Sequence, residues 1–178
     1  MIIRKATEEN LEEVMTVERL AFGSDCEAQL VCKLLSDASA QPVVSLLAFE
    51  NEHAVGHILF TKVKLTGGKS SPNAYILAPL AVVPKAQRKG IGGKLIESGL
   101  HALAELDAIL VFVLGNPEYY TKHGFKPAGN LGFRAPFPIP DKNANAWMVR
   151  ASKPGIIGNI TGKVKCVDAL NKQECWCE

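Results

Sequence analysis

One stretch of the chain joins apolar residues to a basic, glycine-rich turn, and it reads Leu80-Ala81-Val82-Val83-Pro84-Lys85-Ala86-Gln87-Arg88-Lys89-Gly90-Ile91-Gly92-Gly93-Lys94. The apolar part closes a run that begins at Tyr75, and such a run is typical of a buried central strand. Leucines and isoleucines at helical spacing follow the glycines, which predicts that the turn opens a helix. Glycine-rich turns before helices bind phosphates, because free backbone N–H groups and the helix dipole face the anion.

Two familiar phosphate-binding patterns do not match this turn. A Walker A loop ending at Gly93-Lys94 requires glycine where Arg88 stands, and Ser or Thr where Leu95 stands. A dinucleotide-binding fingerprint that begins at Gly90 also requires glycine at position 95. The turn therefore belongs to neither class.

The pattern that remains is Gln87-x-x-Gly90-x-Gly92 after a strand. It closely resembles the acetyl-CoA signature of the GNAT superfamily of N-acetyltransferases. A second segment, Tyr120-Thr-Lys-His-Gly124-Phe125, is similar to the family's Tyr-x-x-x-Gly-Phe. The resemblance extends from Met1 to Arg150. A subgroup of uncharacterised predicted N-acetyltransferases is especially similar, through the segments Val55–Ile58, Pro79–Val82, Leu114–Pro117 and Tyr119-Tyr120.

The order of predicted elements is strand, two helices, three strands, helix, strand, helix, strand, which indicates one α/β (α+β) domain. The resemblance implies a mixed, mainly antiparallel sheet of six to seven strands, with helices on both faces and a splayed central parallel pair. Pro79 independently predicts a break in its strand, because proline cannot donate to a ladder. We expect residues 1–150 to form the acetyltransferase domain. Residues 151–178 are expected to be a C-terminal extension, packed on the same domain or on a dimer partner.

The resemblance implies acetyl-CoA as co-substrate and no metal. Backbone groups at Leu80 and Val82 are expected to pair with the pantetheine arm, and an amide near Val82 to polarise the thioester carbonyl. Asn116 is a further candidate contact, although its place before Pro117 already predicts a helix cap. The expected acetyl-CoA contacts are Leu80, Ala81, Val82, Gln87, Arg88, Lys89, Gly90, Ile91, Gly92, Gly93, Lys94, Asn116 and Tyr120.

Transfer of acetyl to a primary amine by direct attack in a ternary complex needs both a base and an acid. A free alkylamine has a pKa of about 10 and must lose a proton, and the departing thiolate gains one. Tyr120 matches the family position that commonly serves as general acid, with Tyr119 as the fallback. Glu27 and His57 are alternative candidates for the base. His123, in the last turn of a predicted helix, is expected to be structural.

The positive charge of the chain is concentrated in one segment. The formal net charge is only +2, which does not suggest nucleic acid or a membrane as the main partner. The 44 residues from His53 to Ile96, however, contain seven Lys or Arg and no Asp or Glu. Lys85, Arg88, Lys89 and Lys94 suit a polyanionic cofactor, whereas Lys62, Lys64 and Lys69 have no assigned role.

Localisation and redox state follow from the N-terminus and the cysteines. Met1–Lys5 does not begin the run of about 7 to 15 apolar residues found in signal peptides, so we expect a cytoplasmic protein. The five cysteines do not indicate a disulfide framework. Cys175 and Cys177 form a C-x-C that we interpret as two terminal thiols rather than a metal site.

Two other functions stay open at this point. A non-catalytic acyl-CoA binding or sensor module would keep the same turn, and an RNA-binding domain would use the basic segment but lacks interleaved aromatic residues. The acceptor is expected to be a small-molecule or peptide amine, and a homodimer is not excluded. The resemblance implies that Phe22–Ser36 and Leu131–Asn145 shape the acceptor site, where Arg134 could contact an anion and Asp141 an amine.

Overall fold

The computed structural model describes residues 1–176, so Cys177 of the C-x-C lies outside the described residues. The chain divides into two compact units. The first comprises Met1–Thr61 and Ala78–Leu103, and the second comprises Lys62–Leu77 and the chain from Ala104 onward.

The helices and strands follow the predicted order. The helices are α1 (Leu11–Phe22), α2 (Cys26–Ser36), α3 (Ile91–Glu105) and α4 (Pro117–Tyr120). The strands are β1 (Ile2–Lys5), β2 (Val44–Glu50), β3 (His53–Thr66), β4 (Ala74–Val82), β5 (Leu110–Leu114), β6 (Lys126–Pro127), β7 (Phe133–Arg134), β8 (Trp147–Ala151) and β9 (Gly162–Lys165). The predicted mixed, mainly antiparallel arrangement is confirmed. β7 and β9 raise the number of strands within residues 1–176 to nine, above the six to seven expected.

In the first unit, β3 is covered on both faces. β1 is antiparallel to β2, and β2 is antiparallel to β3. Side chains alternate along a strand, and Gly56 and Phe60 of β3 face α3, where a Cβ added to Gly56 would lie 2.9 Å from Leu95 Cδ1. His57 points the other way and contacts Glu18 of α1. The sheet of this unit is therefore packed between α3 and α1.

The core of the second unit is aromatic. β4 is parallel to β5 over Ala74–Leu77, and β8 pairs antiparallel with β5 and β6. The rings of Phe112 and Trp147 stack at 5.2 Å between centroids, and Phe133 meets Phe112 edge-on at 5.4 Å. Offset stacking and edge contacts are the favourable arrangements of aromatic rings, so this cluster stabilises the packing of β7 against β5 and β8.

β9 lies in the C-terminal extension and pairs with two strands of the second unit. It is antiparallel to the end of β3, with Lys64 opposite Lys165, and parallel to β7, with Arg134 opposite Lys163. The pairing of β4 with β5 runs from Ala74↔Leu110 to Leu77↔Val113 and stops two residues before Pro79. The predicted break at Pro79 therefore coincides with the end of the parallel register.

Candidate active site

The glycine-rich turn of the first unit presents the start of a long helix. A 3₁₀ turn at Pro84–Ala86 leads into Arg88 and Gly90, which have left-handed φ values of 62° and 78°. The Lys94 N–H donates to the Gly90 carbonyl at 3.1 Å, so the N–H groups before Lys94 have no intrahelical acceptor. A Cβ added to Gly90 would meet no atom within 4 Å. The turn thus combines open space, free N–H groups and the positive end of a helix dipole, which fits a phosphate group.

Gln87 fixes the turn to the end of β4. Its Nε2–H donates to the Val82 carbonyl at 3.0 Å, while the Val83 N–H donates to the Val55 carbonyl at 2.9 Å. The first residue of the Gln87-x-x-Gly90 pattern therefore has a structural use that sequence reasoning did not assign. Leu80 and Val82 are half-buried, whereas Ala81 between them is buried.

Four cations surround this turn, and all are exposed: Lys85, Arg88, Lys89 and Lys94. Lys89 Nζ lies 3.7 Å from the Glu50 carboxylate, so one of the four charges is partly offset. The other three form no ion pair with any of residues 1–176. The turn is consequently a locally positive surface, as the charge pattern predicted.

Lys62, which had no role on sequence grounds, has a structural one in the second unit. Its Nζ donates to Asn73 Oδ1 at 2.6 Å and lies 5.4 Å from the centroid of the Tyr75 ring. Asn73 in turn donates to the Leu106 carbonyl at 2.7 Å. These contacts tie β3, the loop before β4 and the turn after α3 together within this unit.

Three buried polar side chains of the first unit form a continuous hydrogen-bonded chain. His57 Nδ1 lies 2.5 Å from Glu18 Oε1, and His57 Nε2 lies 3.0 Å from Ser45 Oγ. Glu18 and His57 are 0% exposed and Ser45 is 4% exposed. Both ring nitrogens of the candidate base His57 are therefore engaged away from solvent.

Glu18 was not singled out from the sequence. Burial raises the pKa of its carboxyl, the hydrogen bond and charge of His57 oppose this rise, and the charge of Glu27 adds to it. Glu18 Oε2 has no hydrogen-bond partner among residues 1–176, so only one of the two carboxyl oxygens is hydrogen-bonded. The sequence did contain a signal for the burial of Glu18. Glu18 lies four residues after Val14 and seven after Leu11, which places it on the apolar stripe of α1.

Glu27, the other candidate base, stands in the first turn of α2. Its side chain accepts a hydrogen bond of 2.5 Å from the Ser24 hydroxyl, and the residue is half-buried. The structure thus brings the two candidate bases near one group, since His57 bonds Glu18 and the charge of Glu27 acts on it.

Tyr120 lies in the second unit, at the end of α4. The Asn116 side chain caps this helix by accepting from the Glu118 N–H at 2.9 Å, as predicted. The Tyr120 ring is 8% exposed and contacts Tyr119 edge-on at 5.1 Å between centroids. It also covers Gly115, where an added Cβ would lie 2.5 Å from Tyr120 Cε2. Glycine at position 115 therefore lets the tyrosine ring pack against the end of β5.

The remaining candidates are placed as follows. His123 lies edge-on to Tyr119 at 5.2 Å, and its carbonyl accepts from Arg150 Nη1–H at 3.1 Å, which supports a structural role. Arg134 and Asp141 are both exposed.

Within the described part of the chain, no group of three or more His, Cys, Asp or Glu side chains could hold a metal ion. None of the described helices has both the length and the apolar composition needed to cross a bilayer.

Comparison with known proteins defines the class. Residues 2–128 match the family model of the acetyltransferase (GNAT) domain, and the chain belongs to this family. A relative in Escherichia coli K12, the uncharacterized N-acetyltransferase YjhQ, is 45% identical over 157 residues, which cover 88% of this chain and 86% of YjhQ.

Two solved structures are similar over nearly the whole chain. The E. coli GNAT family N-acetyltransferase YhbS in complex with CoA has a TM-score of 0.86 and 27% identity, covering 96% of this chain and 92% of YhbS. A GNAT family acetyltransferase from Brucella melitensis in complex with acetyl-CoA has a TM-score of 0.75 and 29% identity, covering 95% of this chain and 97% of its own.

Proposed function

We propose that the chain transfers an acetyl group from acetyl-CoA to a primary amine by direct attack in a ternary complex. The observation that carries this proposal is the turn at Arg88 and Gly90, which leaves the first N–H groups of α3 unpaired beneath open space. The similar proteins YhbS and the Brucella melitensis acetyltransferase bind CoA and acetyl-CoA, and this supports the same co-substrate here.

The residues of the turn suit the pyrophosphate of coenzyme A. The N–H groups of Ile91, Gly92 and Gly93 would donate to its oxygens, and the exposed cations Arg88 and Lys94 would add attraction. Backbone groups at Leu80 and Val82 would hold the pantetheine arm, and an amide near Val82 would stabilise negative charge on the thioester oxygen. Acetyl-CoA supplies the activated acetyl group when bound.

Proton transfer is assigned to two side chains. We assign Tyr120 as the general acid that protonates the departing thiolate, on its match to the family motif. Glu27 is favoured over His57 as the base, because Glu27 is partly exposed whereas both nitrogens of His57 are engaged in buried bonds. In this assignment His57 takes no part in proton transfer. It is a positioning residue that holds the Glu18 side chain through a hydrogen bond.

Thiol release from acetyl-CoA tests the reaction. We expect amine-dependent release with at least one class in a panel of polyamines, amino acids, aminoglycosides and lysine peptides. Glu27→Gln should lower kcat and leave the Kd of CoA unchanged, and Ser24→Ala is the matched control that removes only the neighbouring hydroxyl. Binding of CoA with no release on any amine would instead support the acyl-CoA binding or sensor module.

A pair of glycine variants tests the phosphate turn. Gly90 and Gly155 both have left-handed φ values, 78° and 84°, and a Cβ at either would meet no protein atom within 4 Å. Substitution by alanine should therefore lower the free energy of unfolding by a similar amount at each position, about 1–2 kcal/mol. Only Gly90→Ala should weaken CoA binding, because only that Cβ would enter the proposed pyrophosphate space. Equal affinities in the two variants would refute the assignment.

A further inference from the structure

The second unit contains a cavity of about 370 Å³ that is lined mostly by residues of Leu131–Asn145, the segment that the resemblance assigned to the acceptor site. This volume lies within the range of small-molecule sites, which begins at roughly 300 Å³. Most of the lining side chains are apolar or aromatic, and two are cationic. The residues used in the argument are Phe133, Phe137, Trp147, Arg134 and Lys163.

The two cations of this cavity occupy opposite positions on neighbouring strands and have no counter-ion among residues 1–176. Arg134 of β7 and Lys163 of β9 are opposite one another in a parallel strand pair, and both are exposed. Like charges directly opposite on neighbouring strands destabilise a sheet. No carboxylate among residues 1–176 forms an ion pair with either one, and the residues that line the cavity include no Asp or Glu. An anion placed between these two side chains would relieve their repulsion.

The rest of the cavity offers apolar surface. The Trp147 ring is stacked on Phe112, and its Nε1–H donates to the Phe133 carbonyl at 3.0 Å. The one polar atom of the indole is therefore satisfied within the protein, and its orientation is fixed. Phe137 is half-buried and leaves part of its ring for contact with a ligand. A ligand that fills this space must carry an apolar body.

We propose that this cavity is a binding site for a small organic anion, a carboxylate attached to an aromatic or branched apolar body. The carboxylate lies between Arg134 and Lys163, where the guanidinium can donate two parallel hydrogen bonds. The apolar body lies against Phe137 and Ile139, which are half-buried and line the cavity, whereas Trp147 is 3% exposed and forms its inner wall. The site is defined by residues of the second unit alone. It rests on the proposed function, since its ligand would occupy the segment expected to shape the acceptor site, but its binding does not require acetyl-CoA.

Titration calorimetry with 3-phenylpropionate tests the site, using the full chain without acetyl-CoA. We expect saturable binding, a change in tryptophan fluorescence, and an affinity that falls as salt is added. The neutral amide 3-phenylpropionamide should bind at least tenfold more weakly, because it keeps the ring and loses the charge. Acetate, which keeps the charge and loses the ring, should show no saturable binding. Equal affinity for the acid and the amide, or no binding of the acid, would overturn the proposal.

Variants separate a specific site from general attraction of anions. Arg134→Gln and Lys163→Gln should each weaken 3-phenylpropionate about tenfold, and Phe137→Ala should also weaken it. The control is Lys126→Gln, which removes an exposed cation of the same unit that does not line the cavity. Circular dichroism verifies that each variant is folded. A loss of affinity in Lys126→Gln as large as in Arg134→Gln would overturn the assignment.

Discussion

Glu18 and His57 are joined by a contact of 2.5 Å between Oε1 and Nδ1, and neither side chain is exposed. The contact links α1 to β3 across 39 positions of sequence. Loss of one partner leaves a buried polar group unsatisfied, which costs more than the net gain from forming the bond. We therefore expect the contributions of Glu18 and His57 to the free energy of unfolding to depend on each other.

A double-mutant cycle measures this coupling. His57→Leu should reduce the free energy of unfolding by about 1–3 kcal/mol, because Glu18 loses its partner in an apolar environment. Adding Glu18→Leu to that variant should cost less than Glu18→Leu costs in the wild type, since the orphaned carboxyl is then removed and only the Ser45 hydroxyl has lost its partner. Urea unfolding of the four proteins gives the coupling energy, expected to be about 1 kcal/mol or more. Additive losses would show that the two side chains act independently.

The raised pKa of Glu18 makes stability depend on pH in a defined direction. The unfolded carboxyl titrates near 4.5, while burial keeps the folded one protonated to higher pH. Between these two values the folded state binds more protons, so this group's contribution to stability falls as pH rises.

Glu18→Gln tests that direction because it retains the shape of the side chain and cannot titrate. The groups that act on Glu18 are His57 of β3, which is bonded in turn to Ser45 of β2, and Glu27 of α2. We subtract the free energy of unfolding of Glu18→Gln from that of the wild type. We expect this difference to decrease as pH rises above 4.5. Chemical unfolding at half-unit pH steps gives this difference. A difference that is constant or rises over the interval would contradict the raised pKa of the Glu18 carboxyl.

Tyr120→Phe tests the proposed general acid. Removal of the hydroxyl should lower kcat about 10²-fold or more, the range of a general acid, with little change in the Kd of CoA. Tyr119→Phe is the matched control, since Tyr119 lies edge-on to Tyr120 and loses the same atom. Thiol release and titration calorimetry separate the two quantities. Full activity in Tyr120→Phe would contradict the assignment of Tyr120 as the general acid. It would leave the proposed binding of CoA at the glycine-rich turn unchanged.

Gly99→Ala tests the packing of α3 against β3. A Cβ at Gly99 would overlap the ring of Phe60, which is fully buried. Because a packed core cannot move aside freely, we expect a loss of about 1–3 kcal/mol in the free energy of unfolding. Gly129→Ala adds the same methyl group where no atom lies within 4 Å, and it should stay within about 0.5 kcal/mol of the wild type. Similar losses at both positions would refute the close contact with Phe60.

The long elements of the fold were predictable, because their hydrophobic patterns extend over many residues. The apolar run that became β4 and the stripe of α3 are examples, and the Asn116 cap of α4 was predictable from local sequence alone. β7, only two residues long, and β9, with Lys163 and Lys165 alternating with buried residues in a tail, gave weak patterns. Such short strands are specified by their partners, which one-dimensional patterns do not identify.

The glycine-rich turn of the site was similarly visible from spacing. The bond between Glu18 and His57 was not, because residues 39 positions apart come together only through the packing of α1 on the sheet. The use of the Gln87 side chain to hold Val82 also required three-dimensional geometry. Sequence thus indicated the class of chemistry, whereas the partner of each candidate residue depended on tertiary contacts.

The pairing of β3 with β9 affects the chain while it is being made. Thr66 hydrogen-bonds to Lys163, 97 positions later, so the short edge of β3 at Lys64–Thr66 lacks its β9 partner until β9 leaves the ribosome. At roughly 5–20 residues per second, that edge stays open for about 5–20 s. An unpaired strand edge is a template for association with other chains. A translation product that stops before β9 would therefore expose this short unpaired edge, and we expect it to associate with other chains more readily than the full chain does.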